Sequence, residues 1–238
     1  MSTNQPSLSD VLGTKKAFLF DLFHTLTALE ITSIAGRTST HQILGVDKAA
    51  WNEQLERMSR DRVIGRTTDP LAIITNMAHA INPSISAELI QKATKNRMDV
   101  FAGAIIRMPA QTQHVLRTLK RSGKRIGLVS NADVMEVAAW AKCSIADVFD
   151  STVFSCSAGC AKPEPEIYEI SLRELGVTAD ESVFIGDGGS NELQGARNLG
   201  ITTVMITGII QQLWPERIPE RLCHADFVID ALAELIDG

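Results

Sequence analysis

Apolar and polar positions alternate along this chain with two different periods. Short β-branched or aromatic runs, bounded by polar residues or glycine, predict strands at Phe18–Phe20, Ile126–Val129, Thr152–Phe154, Val183–Ile185, Thr203–Ile206 and Phe227–Ile229. Between the later runs the period lengthens to that of a helix. Gln111–Ser122 places Val115, Leu116 and Leu119 on one face before Gly123, Glu166–Leu175 ends at Gly176, and Glu192–Leu199 ends at Gly200. Strands that alternate with helices predict an α/β fold, a parallel sheet covered on both sides.

Between Thr27 and Met108 the strand pattern stops. Amphipathic stretches at Thr40–Arg60, Pro70–Ala80 and Ser86–Phe101 predict a helical insert after the first strand, with Leu44, Trp51, Leu55 and Met58 at helical spacings. The resulting division is a disordered lead-in over 1–14, a core from 15–26 and 109–238, and the insert over 27–108. Such an insert could close over a crevice and exclude water.

Chemistry gathers where the apolar runs end. Asp21 follows AFLF, Ser130 and Asn131 follow IGLV, Lys162 follows a Gly-containing loop, and Asp187 follows VFIG. Open α/β sheets bind ligands at the carboxyl ends of their strands, so these groups converge on one crevice. Asp21 is thereby a candidate nucleophile. Glu192 lies five positions beyond Asp187 across a Gly-rich loop, and hard oxygen ligands with room for water suit Mg²⁺.

Composition narrows the partners. The chain has 238 residues, enough for one large domain or a domain with an insert, and 45% apolar residues support a sizeable core. A net charge of −5 argues against nucleic-acid binding, which needs a basic stripe. The same charge requires any anion site to be built locally. No stretch is long and apolar enough to predict a membrane span, and the polar first residues lack the pattern of a secretory signal. Cys143, Cys156, Cys160 and Cys223 form no CxxC pair and read as reduced thiols of a cytoplasmic protein.

The four segments, in this order, resemble the haloacid dehalogenase superfamily of hydrolases, with the helical insert where that family carries its first type of cap. The resemblance implies a Rossmann-like core with an inserted helical cap. It implies a Mg²⁺-dependent hydrolase of small phosphorylated metabolites that works through a covalent aspartyl phosphate. Asp21 matches the nucleophile. Ser130 and the backbone N–H of Asn131 match the groups that hold the transferring phosphoryl. Lys162 matches the lysine that neutralises crowded negative charge. Asp21, the backbone carbonyl of Phe23 and Asp187 match the metal ligands, with Glu192 binding the ion directly or through one of them.

One position departs from the pattern. Phosphatases of this superfamily usually carry a second aspartate two positions after the nucleophile, which protonates the leaving oxygen; here it is Phe23. Three readings follow. The enzyme is a phosphohydrolase using another acid, with His24 the nearest candidate, or a substrate with a good leaving group. Or it is a metal-independent 2-haloacid dehalogenase, in which an aromatic residue at this position is usual and halide leaves without a proton. C–P cleavage also tolerates a non-acid there, but needs a cap lysine that nothing singles out among Lys48, Lys92 and Lys95. Or the chain is a phosphate-binding or regulatory module. Arg37, His41, Arg62 and Arg66 are the insert's candidates for substrate contact, and Gly65 could turn the backbone near a ligand.

Overall fold

The computed structural model describes residues 7–32 and 38–236. Its centre is one six-stranded sheet: β1 (Ala17–Phe20), β2 (Arg125–Ser130), β3 (Ser151–Phe154), β4 (Ser182–Gly186), β5 (Thr202–Ile206) and β6 (Phe227–Ile229). The strand order is β3-β2-β1-β4-β5-β6, and every neighbouring pair is parallel. All six strands expected from the sequence are present.

The pleat sends successive residues to opposite faces, and each face has its own core. Phe18, Phe20, Ile126, Leu128, Val183, Ile185 and Val204 pack on one side with Val115, Leu116 and Leu119 of helix Ala110–Arg121. Ala17, Leu19, Val129, Phe184 and Met205 pack on the other, against Ile167, Tyr168, Leu172 and Leu175 of helix Pro165–Leu175 and Leu193 and Ala196 of helix Glu192–Asn198. Each fully buried side chain of this size contributes roughly 1.5–3 kcal/mol of transfer free energy.

The chain winds from β1 outward to β3 on one side, then returns to β4 and winds outward to β6. The order therefore reverses between β1 and β4, and a crevice opens at their carboxyl ends. Asp21 and Asp187 stand on its two lips.

The stretch after β1 is helical, with helices Thr40–Leu44, Lys48–Arg57, Ser59–Val63, Pro70–Ile81 and Ala87–Ile106. Leu44, Trp51, Ile73, Ile74, Met77 and Ile90 form a third apolar cluster, with Leu55 and Met58 packed against it. The amphipathic stretch that begins at Thr40 forms three helices. Gly45 ends the first with φ of 67°, and the Asp47 side chain accepts from the N–H groups of Ala49 at 2.8 Å and Ala50 at 3.0 Å, starting the second. Met58, at φ −98° and ψ 11°, separates the second from the third.

Of the expected lead-in, residues 1–6 lie outside the described residues, and the remainder is ordered. Leu8–Thr14 is a helix, begun by a reciprocal cap in which Ser7 Oγ accepts from Asp10 N–H and the Asp10 carboxylate accepts from Ser7 N–H, each at 3.2 Å. Leu12 anchors it in the core beside the sheet. Among the described residues no helix is long and apolar enough to cross a membrane.

Candidate active site

Asp21 is held at the end of β1 by its N–H, which donates to Ile185 O at 3.0 Å. The chain then turns sharply. His24 adopts φ of 65°, its N–H donates to Thr27 O at 2.6 Å, and Leu26 N–H donates to Leu22 O at 2.9 Å. The turn brings the Thr25 hydroxyl to donate to Asp21 Oδ2 at 3.1 Å, and it directs Phe23 and His24 to the crevice.

Lys162 is the hinge of the charge arrangement. Its Nζ donates to Asp21 Oδ1 at 2.6 Å and to Glu192 Oε2 at 2.5 Å. Only 4% of the residue is exposed. Burial alone would strip its proton, but the two carboxylates overcome this and hold it charged well above the ordinary lysine range. Burial raises the carboxyl pKa values of Asp21 and Glu192; Lys162 opposes the shift, and the neighbouring carboxylates, Asp187 among them, reinforce it.

The loop carrying Lys162 is pinned by Asn131. Its amide donates to Lys162 O at 2.9 Å and accepts from Lys162 N–H at 2.8 Å. The Asn131 side chain thus holds the lysine loop and is not free for a ligand. Ser130 differs: its hydroxyl is fully buried at the end of β2 and has no hydrogen-bond partner among the described residues. A buried donor without an acceptor costs about 1–3 kcal/mol, so this hydroxyl is suited to receive a ligand oxygen.

Asp187 follows β4. Its Oδ1 accepts from Gly189 N–H at 3.0 Å, and its Oδ2 accepts from Arg221 at 2.6 Å. Glu192 reaches back under the same loop, where its Oε1 accepts from Gly188 N–H at 2.9 Å. That reach requires Gly186, because a Cβ there would stand 2.2 Å from Glu192 Oε1. Tyr168 OH fixes the start of the glutamate's helix by donating to Glu192 O at 2.7 Å.

Asp21, Asp187 and Glu192 each offer an oxygen within 4.8 Å of the others. Three buried carboxylates face one buried cation, Lys162, and one partly buried cation, Arg221, so negative charge is in excess. All-oxygen donors and that excess fit a divalent ion such as Mg²⁺. Every oxygen of the three already accepts one hydrogen bond, and Glu192 is the most deeply buried, at 1% exposed against 7% for Asp21 and 6% for Asp187.

The C-terminal segment closes the crevice, and sequence reasoning missed this. Trp214 packs against the core on one face of the sheet and also lines a cavity of about 280 Å³ together with Arg217 and Arg221. Its ring meets that of His24 edge to face, with centroids 4.9 Å apart. His24 Nε2 lies 3.2 Å from Glu30 Oε2. Burial lowers the His24 pKa, but the bond to Glu30 and the charges of Glu30, Asp187 and Asp21 outweigh it, and the net shift is upward.

The substrate contacts expected from the insert are placed elsewhere. Arg62 is 7% exposed and donates to Asp133 Oδ2 at 2.5 Å and to Leu55 O at 3.0 Å. It ties the insert to the loop after β2. Arg66 pairs with Asp61 at the surface, and His41 lies beside Ser39. Arg37 lies outside the described residues. Gly65 turns with φ of 72°, but toward the core and not a ligand: a Cβ there would stand 2.0 Å from Cys156 O.

This sheet, with an acid after β1, a hydroxyl after β2, a lysine joining two acids and a further acid after β4, defines a hydrolase site at a strand-order reversal. The chain belongs to the haloacid dehalogenase-like hydrolases, whose family model matches residues 15–200. It is 27% identical over 233 residues to a glyceraldehyde 3-phosphate phosphatase of Methanocaldococcus jannaschii, covering 93% of this chain and 96% of that one. In fold it is similar to a solved dehalogenase (TM-score 0.64, 19% identity, 93% and 96% of the two chains). A HAD phosphatase from Thermococcus onnurineus is also similar in fold (TM-score 0.59, 21% identity, 92% and 95%).

Proposed function

We propose that this hydrolase is a Mg²⁺-dependent phosphohydrolase acting on a small phosphorylated metabolite in the cytoplasm. The observation that carries the reading is the bridge from Lys162 to Asp21 and Glu192 with Asp187 beside it, a site short of positive charge. The phosphatase similarity supports the substrate class.

In this reading the Asp21 carboxylate attacks phosphorus in line, the bond to the leaving oxygen breaks with its electron pair, and an aspartyl phosphate forms. Water then cleaves the acyl phosphate and frees Asp21. Lys162 offsets the charge of the carboxylates and the phosphoryl oxygens, and the Ser130 hydroxyl donates to one of those oxygens. Asp21, the Phe23 carbonyl and Asp187 would hold the ion, with Glu192 orienting Lys162. When bound, the ion neutralises the phosphoryl oxygens as a Lewis acid. Phe23 has no proton to give. The reading therefore favours a leaving group that needs little protonation, such as an acyl phosphate, or proton donation from His24, whose charged form is favoured.

A second reading, a metal-independent 2-haloacid dehalogenase, draws on the aromatic Phe23 and on Arg221, which already gives Asp187 a positive partner. Phosphate release from aryl and acyl phosphates, abolished by a chelator and by Asp21→Asn, supports the first reading. Halide release from 2-haloacids that is indifferent to chelator replaces it with the second. Anion binding without turnover of either panel leaves a binding module.

A further inference from the structure

Arg221 belongs to none of the motifs around it, yet it holds an acid of the candidate metal site. Its Nη1 donates to Asp187 Oδ2 at 2.6 Å and to Asp187 O at 3.0 Å. The pair is nearly closed to solvent, with side-chain exposures of 11% and 8%, so salt screens it weakly. The stem of the arginine lies directly on the loop: a Cβ on Gly188 would stand 2.8 Å from Arg221 Cβ. The absence of a side chain at Gly188 is what admits the arginine to this position.

Arg221 also borders a second cavity, of about 340 Å³, on the outer side of the loop, with Asn191, Gln194, Glu220 and His224 around it. The guanidinium therefore has a place to go and a carboxylate, Glu220, near which to rest.

We propose that Arg221 is a tethered cation that competes with the divalent ion for Asp187, swinging toward the outer cavity when the ion binds. The proposal rests on the metal reading above. In the ion's absence Arg221 offsets the surplus of buried carboxylate charge. In its presence the guanidinium and the ion repel each other across one carboxylate, so the arginine weakens metal binding. A unit charge about 5 Å from a divalent ion, even at the dielectric of water, changes affinity on the order of tenfold.

Calorimetric titration of Mg²⁺ into the metal-stripped full chain, checked by electron paramagnetic resonance with Mn²⁺, tests this without reference to turnover. Arg221→Gln should bind Mg²⁺ on the order of tenfold more tightly than wild type. It should melt lower than wild type without metal and recover when Mg²⁺ saturates. Arg221→Lys, with charge kept and reach shortened, should fall between the two, and it carries the test if the glutamine variant does not fold. Equal or weaker Mg²⁺ binding in Arg221→Gln overturns the competition and makes Arg221 a group that positions Asp187. If wild type and both folded variants bind neither ion at millimolar concentration, the metal reading itself fails and this inference with it.

Discussion

The ring of Phe23 meets the ring of Phe101 edge to face, with centroids 5.4 Å apart. Phe101 belongs to helix Ala87–Ile106 of the insert, and the Arg97 guanidinium lies 4.8 Å from the centre of its ring. The residue that departs from the phosphatase pattern is thus part of the seam joining the core to its helical insert. An aromatic pair of this kind contributes about 0.5–1.5 kcal/mol beyond the area it buries.

Replacing Phe23 separates these two roles. Phe23→Ala should lower unfolding free energy by about 1–3 kcal/mol in urea titrations, since the ring is only partly buried. Phe23→Asp should lose similar stability. If proton transfer limits the natural enzyme, it should also raise kcat on alkyl phosphates by up to about 10²-fold. An unchanged kcat on these esters would show that another group already supplies the proton.

Lys162 keeps two buried carboxylates in place, so Lys162→Met should abolish turnover and destabilise the fold by about 3–5 kcal/mol. Adding Glu192→Gln should restore part of that stability by removing one uncompensated charge, with no return of activity. Chemical denaturation of the single and double variants measures the coupling; independent, additive losses would contradict the bridge seen here.

Arg62 and Asp133 form an ion pair with 9% and 0% of their side chains exposed, between the insert and the loop that follows Ser130 and Asn131. Arg97 lies in the same cluster and pairs with Glu136 at 2.6 Å. Among the described residues, Arg62→Ala leaves the buried Asp133 carboxylate only Arg97, at 3.9 Å, and the N–H groups of Met135 and Glu136, and should cost up to about 3–5 kcal/mol, whereas Arg62→Met with Asp133→Leu should recover most of it. Thermal melts of the three variants check this. A large rise in KM for Arg62→Ala at unchanged stability would instead return this arginine to substrate binding.

The pair His24–Glu30 predicts a pH window. Burial acts against both charges, but the mutual hydrogen bond together with the surrounding charges and backbone outweighs it, raising the His24 pKa above its ordinary value of 6.5 and lowering that of Glu30 below 4.5. The glutamate's contribution is full above the unfolded value of 4.5 and is lost as pH falls through the lowered folded pKa. The histidine's is full below the unfolded value of 6.5 and is lost as pH rises through the raised folded pKa. Wild type should therefore exceed Glu30→Gln in stability most between pH 4.5 and 6.5, by no more than about 0.5 kcal/mol given solvent screening. Denaturation midpoints across pH 4–9 would show a flat difference if the two side chains do not interact.

Local pattern carried much of this protein. Strand runs, helix faces and the glycines that end them are short-range signals, and each sheet strand was readable because its neighbours in sequence are punctuation. Asp21, Ser130 and Asp187 were legible for the same reason: they sit where strands end, and a parallel sheet sends strand ends to one edge. The break at Gly45 and Asp47 and the cap at Ser7 and Asp10 are also local, but they are written in capping chemistry and leave no mark on the apolar spacing.

Other features had no local trace. Nothing near Arg62 announces Asp133, 71 positions away, and nothing near Arg221 announces Asp187, 34 positions away. A cationic side chain reads alike on a surface and in a crevice; its role depends on which carboxylate the folded backbone brings within hydrogen-bond reach. The residue types named the reaction's reagents, while chain packing assigned each charge its partner, because Coulomb energy in a buried site depends on distances set only when remote segments meet.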